Sequence, residues 1–252
     1  MLSKGSTSDE YLKFIRMQVE IKISAGRYST SFGPGLLPRM YSSSVYTIPK
    51  PPNTFRLINH MLYGNHSPNS MILRENVAGI CMDKIMLLET ALLWFHWEFG
   101  DDIKLVIYKS NIGHAHQNFW VHPLWQIKQI ISVGTNQYID HCNCFGGHAP
   151  YLIFLSFLSL LVWITQEVKM IKNLRSYIDD NASFVHVGDV MYYPPYDAYY
   201  PSDQTKLLLL WDELNISHVK KKQIYGPVVP YVGFDMDTNT WHSPLLMYEQ
   251  QR

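Results

Sequence analysis

The chain has 252 residues, with Lys+Arg and Asp+Glu both at 21, so its formal charge is zero, and 47% of its residues are apolar. That length holds one large domain or two small ones around a sizeable core. The balanced charge argues against a domain whose affinity comes mainly from phosphate contacts. Three cysteines, Cys81, Cys142 and Cys144, are too few and odd in number for a disulfide framework, which favours a reducing intracellular setting, cytoplasm or nucleus. Met1 to Ile23 mixes Lys, Asp, Glu and Arg without the apolar run of a secretory signal.

Glu10–Ile23 places Tyr11, Leu12, Phe14, Ile15, Val19 and Ile21 near helical spacing and predicts an amphipathic helix. The Gly, Pro and Ser-rich stretch Gly26 to Ser44 reads as loop. Val45–Ile48 reads as a short strand ended by Pro49, Pro51 and Pro52, Phe55–Ile58 as a second, and Gly64–Ser70 as turn. Lys84–Phe99 is helical by pattern, and Leu105–Tyr108 is a strand. Trp125–Ile131 begins either helical or extended, and Gln137–Ile139 is a strand.

Tyr151–Leu174 is the strongest predicted helix. Its apolar part, Tyr151–Ile164, is 14 residues long and runs into Gln166, Glu167 and Lys169. A membrane span needs roughly 20 apolar residues, so the segment predicts a buried core helix and no membrane partner. Ser176–Ile178 and Phe184–Val187 flank Asp179-Asp180, a hairpin pattern with acidic residues at its tip. Lys206–Leu214 is a Leu-rich helix and Tyr231–Met236 a final strand. Hairpins outnumber repeated βαβ units, so the predicted class is α+β.

Adjacent carboxylates repel, and at a strand–turn–strand junction such a pair can hold a divalent metal. Alone, the pair reads as a solvated turn. His141-Cys142-x-Cys144-x₃-His148 has metal-ligand residue types, but four ligands within eight residues would strain the loop.

The surroundings of the acidic pair change its reading. In order along the chain stand RLINHMLYGNHSPNSMI (Arg56–Ile72), KSNIGHAHQNFWVHPLWQIKQ (Lys109–Gln129), CNCFGGHA (Cys142–Ala149), YIDD (Tyr177–Asp180) and the run Trp211-Asp-Glu-Leu before Lys220-Lys221-Lys222. This set resembles reverse transcriptases, and most closely the reverse transcriptase-like chains of fungal retroelements, from about Tyr11 to Asp237. The resemblance implies an antiparallel polymerase palm with packed helices, plus fingers, with the thumb absent or truncated. The implied divisions are an N-terminal helix and loop (1–44), a fingers-like region (45–104), a palm-like region (105–237) and a short tail (238–252).

The same resemblance implies an RNA-directed DNA polymerase working with Mg²⁺ or Mn²⁺, with an RNA template, a DNA primer and deoxynucleoside triphosphates as partners. Asp179 and Asp180 would be metal ligands. The third carboxylate of the family falls at Asn111. Lys221 would be the lysine that protonates pyrophosphate, although Lys220 and Lys222 are not separated from it by sequence. Arg56 and His116 would contact the nucleotide; Tyr177, Val232 and Gly233 would contact primer and template.

Without the resemblance, Arg56 reads as a surface arginine, Tyr177 as a sheet-packing tyrosine and the lysines as a solvated charge run. Departures accumulate: Asn111, His60 in place of an acid, His116 in place of the aromatic sugar gate, Gln117, Trp120, and bulky Tyr151 where backbone should approach the template. Together they predict a copy impaired in catalysis.

Overall fold

The computed structural model describes residues 9–50, 54–62, 67–77, 82–100, 102–144 and 146–238. Cys81, Pro51, Pro52, Gly64 and residues 239–252 lie outside the described residues. In chain order the elements are α1 (Asp9–Ser24), β1 (Ser42–Lys50), β2 (Thr54–Asn59), α2 (Ile85–Phe99), β3 (Leu105–Asn111), α3 (Pro123–Gln126), β4 (Ile130–Val133), β5 (Asn136–Ile139), α4 (His148–Glu167), β6 (Arg175–Tyr177), β7 (Asp180–His186), β8 (Val190–Tyr193), β9 (Ala198–Pro201), α5 (Ser202–Glu213), β10 (Ile224–Gly226), β11 (Val228–Tyr231) and β12 (Phe234–Asp237). The class is α+β. Two compact units form, one from residues 1–79 and 116–154, the other from residues 80–115 and 155–252.

In the first unit the sheet order is β2-β1-β4-β5, with β1 antiparallel to β2 and parallel to β4. Helix α1 carries Asp9 and Glu10 in its first turn and Lys22 in its last, the polarity its dipole favours. It buries Ile15 and Val19 against Tyr28, Met61, Ile131, Tyr138 and Cys144. Tyr11 and Phe14 meet Phe55 edge-on at 4.8 and 5.5 Å. Strand β1 runs through Pro49 instead of ending before it. Its pairing with β4 stops at Ser44, so the later part has a neighbour on one side only, where a missing N–H is tolerated.

The second unit is built on the antiparallel sheet β10-β3-β7-β6. Its core joins Leu88 and Leu92 of α2 to Leu105, Ile107, Ala182 and Phe184 of the two central strands, with Val229 and Tyr231. On α5, Leu207, Leu208 and Trp211 are buried, and Gln204 Nε2 donates to the Ser110 hydroxyl at 3.1 Å and the Lys109 carbonyl at 3.3 Å. These bonds tie the helix to the strand that ends in Asn111. Hairpin β8–β9 is an element the sequence reading missed. It buries Tyr193, whose hydroxyl donates to Asp212 Oδ2 at 2.6 Å.

Two expected elements are corrected. Tyr231–Met236 is not one strand: β11 and β12 form a hairpin turning at Val232-Gly233, with φ of 51° and 83°. Positive φ at both central residues is the type I′ pattern, which normally selects Asn-Gly, so the β-branched Val232 hid the turn. Replacing Gly233 with Ala forces a Cβ into left-handed backbone and is expected to destabilise the protein by about 1–2 kcal/mol, measured by urea denaturation.

The predicted helix Tyr151–Leu174 instead runs from His148 to Glu167. The His148 N–H donates to Asn69 Oδ1 at 2.8 Å, which satisfies one open donor of the first turn. At the other end Met170 takes φ of 60°, and the Ile171 N–H reaches back to the Thr165 carbonyl at 3.1 Å. Met170 thus takes the left-handed backbone usually given to Gly after a helix, so composition carried no stop signal. By length and composition this 20-residue helix could cross a membrane. Its apolar circumference is not uniform: Phe154, Leu155, Leu158 and Leu161 are buried, whereas Ile153, Leu160 and Trp163 are exposed.

Candidate active site at the acidic hairpin

Strands β6 and β7 pair Tyr177 with Asp180, leaving Ile178-Asp179 as a two-residue turn. Ile178 has φ of 53° and Asp179 does not share the positive sign, the pattern of a type II′ turn without its usual glycine. A β-branched residue held there stores of order 1–2 kcal/mol of strain. The β3–β7 register sets Asn111 directly across from Asp180, and the Ile112 N–H donates to the Asp179 carbonyl at 2.9 Å. The two aspartates and Asn111 are therefore brought together by backbone pairing.

Asn111 Nδ2 donates to Asp179 Oδ2 at 2.7 Å and to Asp180 Oδ1 at 2.8 Å. A carboxamide has two N–H donors, and here one goes to each carboxylate. Its oxygen accepts from Lys222 Nζ at 2.6 Å, and Lys109 Nζ lies 3.5 Å from Asp180 Oδ2. The Asn111 backbone carbonyl accepts from Gln223 Nε2 at 3.2 Å.

Of the three lysines the sequence left unseparated, Lys222 reaches Asn111. The β10–β3 pairing begins at Ile224 opposite Lys109, and Lys222 ends the 3-10 turn Lys220–Lys222 just before it, beside the end of β3. Lys220 is turned away, donating to the Tyr196 carbonyl at 2.6 Å.

The residues present do not fit a two-metal centre. Such a centre needs carboxylates that bridge both ions; here two are present and both already accept N–H donors from Asn111. Among the described residues no group of three or more His, Cys, Asp or Glu side chains could hold a metal ion.

The remaining candidates lie as follows. Tyr177 is half-buried against the core of the second unit, and Val232 and Gly233 form the β11–β12 turn. Arg56 and His116 belong to the first unit. Arg56 is exposed on β2. His116 is buried, its Nδ1 3.3 Å from the Pro150 carbonyl oxygen and its ring edge-on to Phe154 at 5.2 Å.

Sequence reasoning passed over one buried polar network in the first unit. Asp140 is 1% exposed, and burial pushes its carboxyl up to about 6. It accepts from the Cys142 N–H at 3.1 Å and from Asn59 Nδ2 at 3.2 Å. The Tyr28 hydroxyl donates to Asn59 Oδ1 at 3.5 Å and accepts from Lys22 Nζ at 3.1 Å. A single Asp after a strand gives no pattern that would have flagged it. The neighbouring Cys142 and Cys144 are free thiols, and burial pushes Cys142 up to about 11 and Cys144 higher still. His141 bonds Gln126 Oε1 at 2.8 Å and stacks on Trp120 at 5.5 Å. Neutral thiols and an engaged imidazole are a poor zinc donor set.

No family model matches this sequence, and no curated protein matches it. The fold is nonetheless shared with solved structures. One is the foamy viral protease-reverse transcriptase, solved in complex with double-stranded DNA, at a TM-score of 0.63 and 12% identity, over 92% of this chain. That protein is viral rather than fungal, and the alignment spans 34% of its length. At this identity the likeness establishes architecture: the chain has a reverse transcriptase-like fold.

Proposed function

We propose that this chain is a reverse transcriptase-like fingers-and-palm domain, of fungal retroelement type, in which two-metal nucleotidyl transfer has lapsed. The observation that carries the reading is the Asn111 carboxamide, whose two N–H bonds are directed to Asp179 and Asp180. Phosphoryl transfer of this class is stabilised chiefly by metal ions and fixed charge aimed at the transition state. An amide in place of the bridging carboxylate removes a negative charge and supplies hydrogen-bond donors where a cation would bind.

The retroelement ancestry rests on the motif runs around Arg56, Lys109, Cys142 and Tyr177. On the same likeness, Arg56 and His116 descend from nucleotide contacts, and Tyr177, Val232 and Gly233 from primer and template contacts. Lys221, or its neighbour Lys220 or Lys222, descends on that likeness from the lysine that protonates pyrophosphate. The foamy viral relative in fold was solved with double-stranded DNA. By analogy the partner of this chain is a template–primer duplex, bound without turnover. Its zero formal charge predicts weak, salt-sensitive binding.

The test is primer extension on a primed RNA template with Mg²⁺ or Mn²⁺, run beside a gel-shift assay with the same duplex. Binding without extension is the expected result, and robust extension by the unmodified chain defeats the reading.

A further inference from the structure

We propose that Lys222 is a tethered cation that locks the Asn111 carboxamide with its N–H groups toward Asp179 and Asp180, and thereby keeps divalent metal out of the acidic hairpin. The proposal rests on reading this site as a lapsed two-metal centre.

Asn111 and Asp180 stand opposite each other on β3 and β7, and Lys222, which ends the short 3-10 turn Lys220–Lys222 just before β10, reaches Asn111 from the other side. Gln223 pins this arrangement. It is 5% exposed, and its Nε2 donates to the backbone carbonyls of Asn111 and Val219, both at 3.2 Å. The lysine turn is thereby fixed to the end of β3, and Lys222 Nζ meets Asn111 Oδ1 at 2.6 Å.

An asparagine beside two aspartates could in principle turn its oxygen outward to complete an oxygen cage for a metal. Here that rotation would set the amide NH₂ against the Lys222 ammonium, donor against donor, and the carbonyl oxygen against two carboxylates. Both ends of the amide oppose the flip. The charges agree. Asp179 and Asp180 bring two negative charges, Lys109 and Lys222 bring two positive, and Asn111 brings none. In this balanced cluster the two ammonium groups cancel the attraction that the carboxylates would exert on a divalent cation. Asn111→Asp alone leaves the cluster one charge negative, with Lys222 already within hydrogen-bond reach of the new carboxylate. Removing Lys222 as well leaves it two charges negative, the complement of one divalent ion.

The test is Mn²⁺ binding, read by the electron paramagnetic resonance signal of free Mn²⁺, on the full chain without nucleic acid. Four proteins are compared: unmodified, Lys222→Met, Asn111→Asp, and Asn111→Asp/Lys222→Met. The unmodified chain is expected to bind weakly at most. The double variant is expected to bind about a hundredfold more tightly than Asn111→Asp, as removal of a like charge a few ångströms from a divalent ion predicts. Adding Asp180→Asn should abolish the gain. Mn²⁺ should also raise the Tm of the double variant and leave that of the unmodified chain unchanged.

If the methionine variant does not fold, Asn111→Asp/Lys222→Gln keeps a donor of similar reach without the charge and should show the same direction. Equal Mn²⁺ affinity in the single and double variants overturns the role given to Lys222. That outcome is separable from failure of the functional reading, which primer extension by the unmodified chain decides.

Discussion

On a primed RNA template with Mg²⁺ or Mn²⁺, the unmodified chain is expected to show no processive synthesis, and Asn111→Asp alone to recover little. Loss of a bridging ligand worth about 4 kcal/mol slows the chemical step roughly a thousandfold. The single change restores the carboxylate and leaves Lys222, whose Nζ stands 2.6 Å from the Asn111 amide oxygen, free to pair with it. Further obstacles are independent of that contact. The imidazole of His116, proposed to descend from the sugar gate, is 8% exposed and packed against Phe154. Tyr151 is proposed to stand where a working site would bring backbone near the template, and its bulk is unchanged by the substitution. Single-turnover extension measures both variants. Full rescue by Asn111→Asp would show that the other departures, Lys222 included, are harmless.

Periodicity and turn chemistry made the helices α1, α2 and α5 and the acidic hairpin legible, because each buries one face at a regular spacing. Asn111 was legible as the partner of the hairpin through the motif order alone, and the β3–β7 register explains the meeting physically. Beyond the β11–β12 turn and the Asp140 network, three features were not legible, each for a structural reason. That Lys222 is the lysine meeting Asn111 depends on the turn that leads into β10, which pairs with β3 more than a hundred residues away. The end of α4 depends on Met170 adopting left-handed backbone, which only tertiary contacts can impose on a methionine. The β8–β9 hairpin is linked through Pro194-Pro195-Tyr196-Asp197, and it buries Tyr193 and Tyr200 beside exposed Tyr192 and Tyr199. Neither short strand alternates buried and exposed residues along its length, so no period-2 signal marked it and the prolines read as loop.

Asp140 is expected to make the first unit less stable as pH rises from about 4 to about 6. Its carboxyl ordinarily titrates at 3.8, and burial raises it to about 6 in the folded chain, against the smaller opposing pull of Lys22, the Cys142 N–H, Asn59 and Arg27. The folded state therefore holds a proton at pH values where the unfolded state has released it. The resulting stabilisation is complete below 3.8 and is lost as pH climbs through 6, because ionising the carboxyl then opposes folding. With each pH unit between the two values worth about 1.4 kcal/mol, the swing is about 3 kcal/mol. Asp140→Asn removes the titration while keeping an oxygen for the Cys142 N–H, and rotation of the Asn59 amide can supply an acceptor to the new NH₂. Denaturant melts of both proteins from pH 4 to 7 isolate this group, since every other titration is common to the pair. The stability of the native chain relative to Asp140→Asn should fall by roughly 2 kcal/mol across this range, most of the full swing. A rise across the same range would mean that Lys22, 3.1 Å from the Tyr28 hydroxyl in the same network, holds the buried carboxylate ionised and that attraction outweighs desolvation.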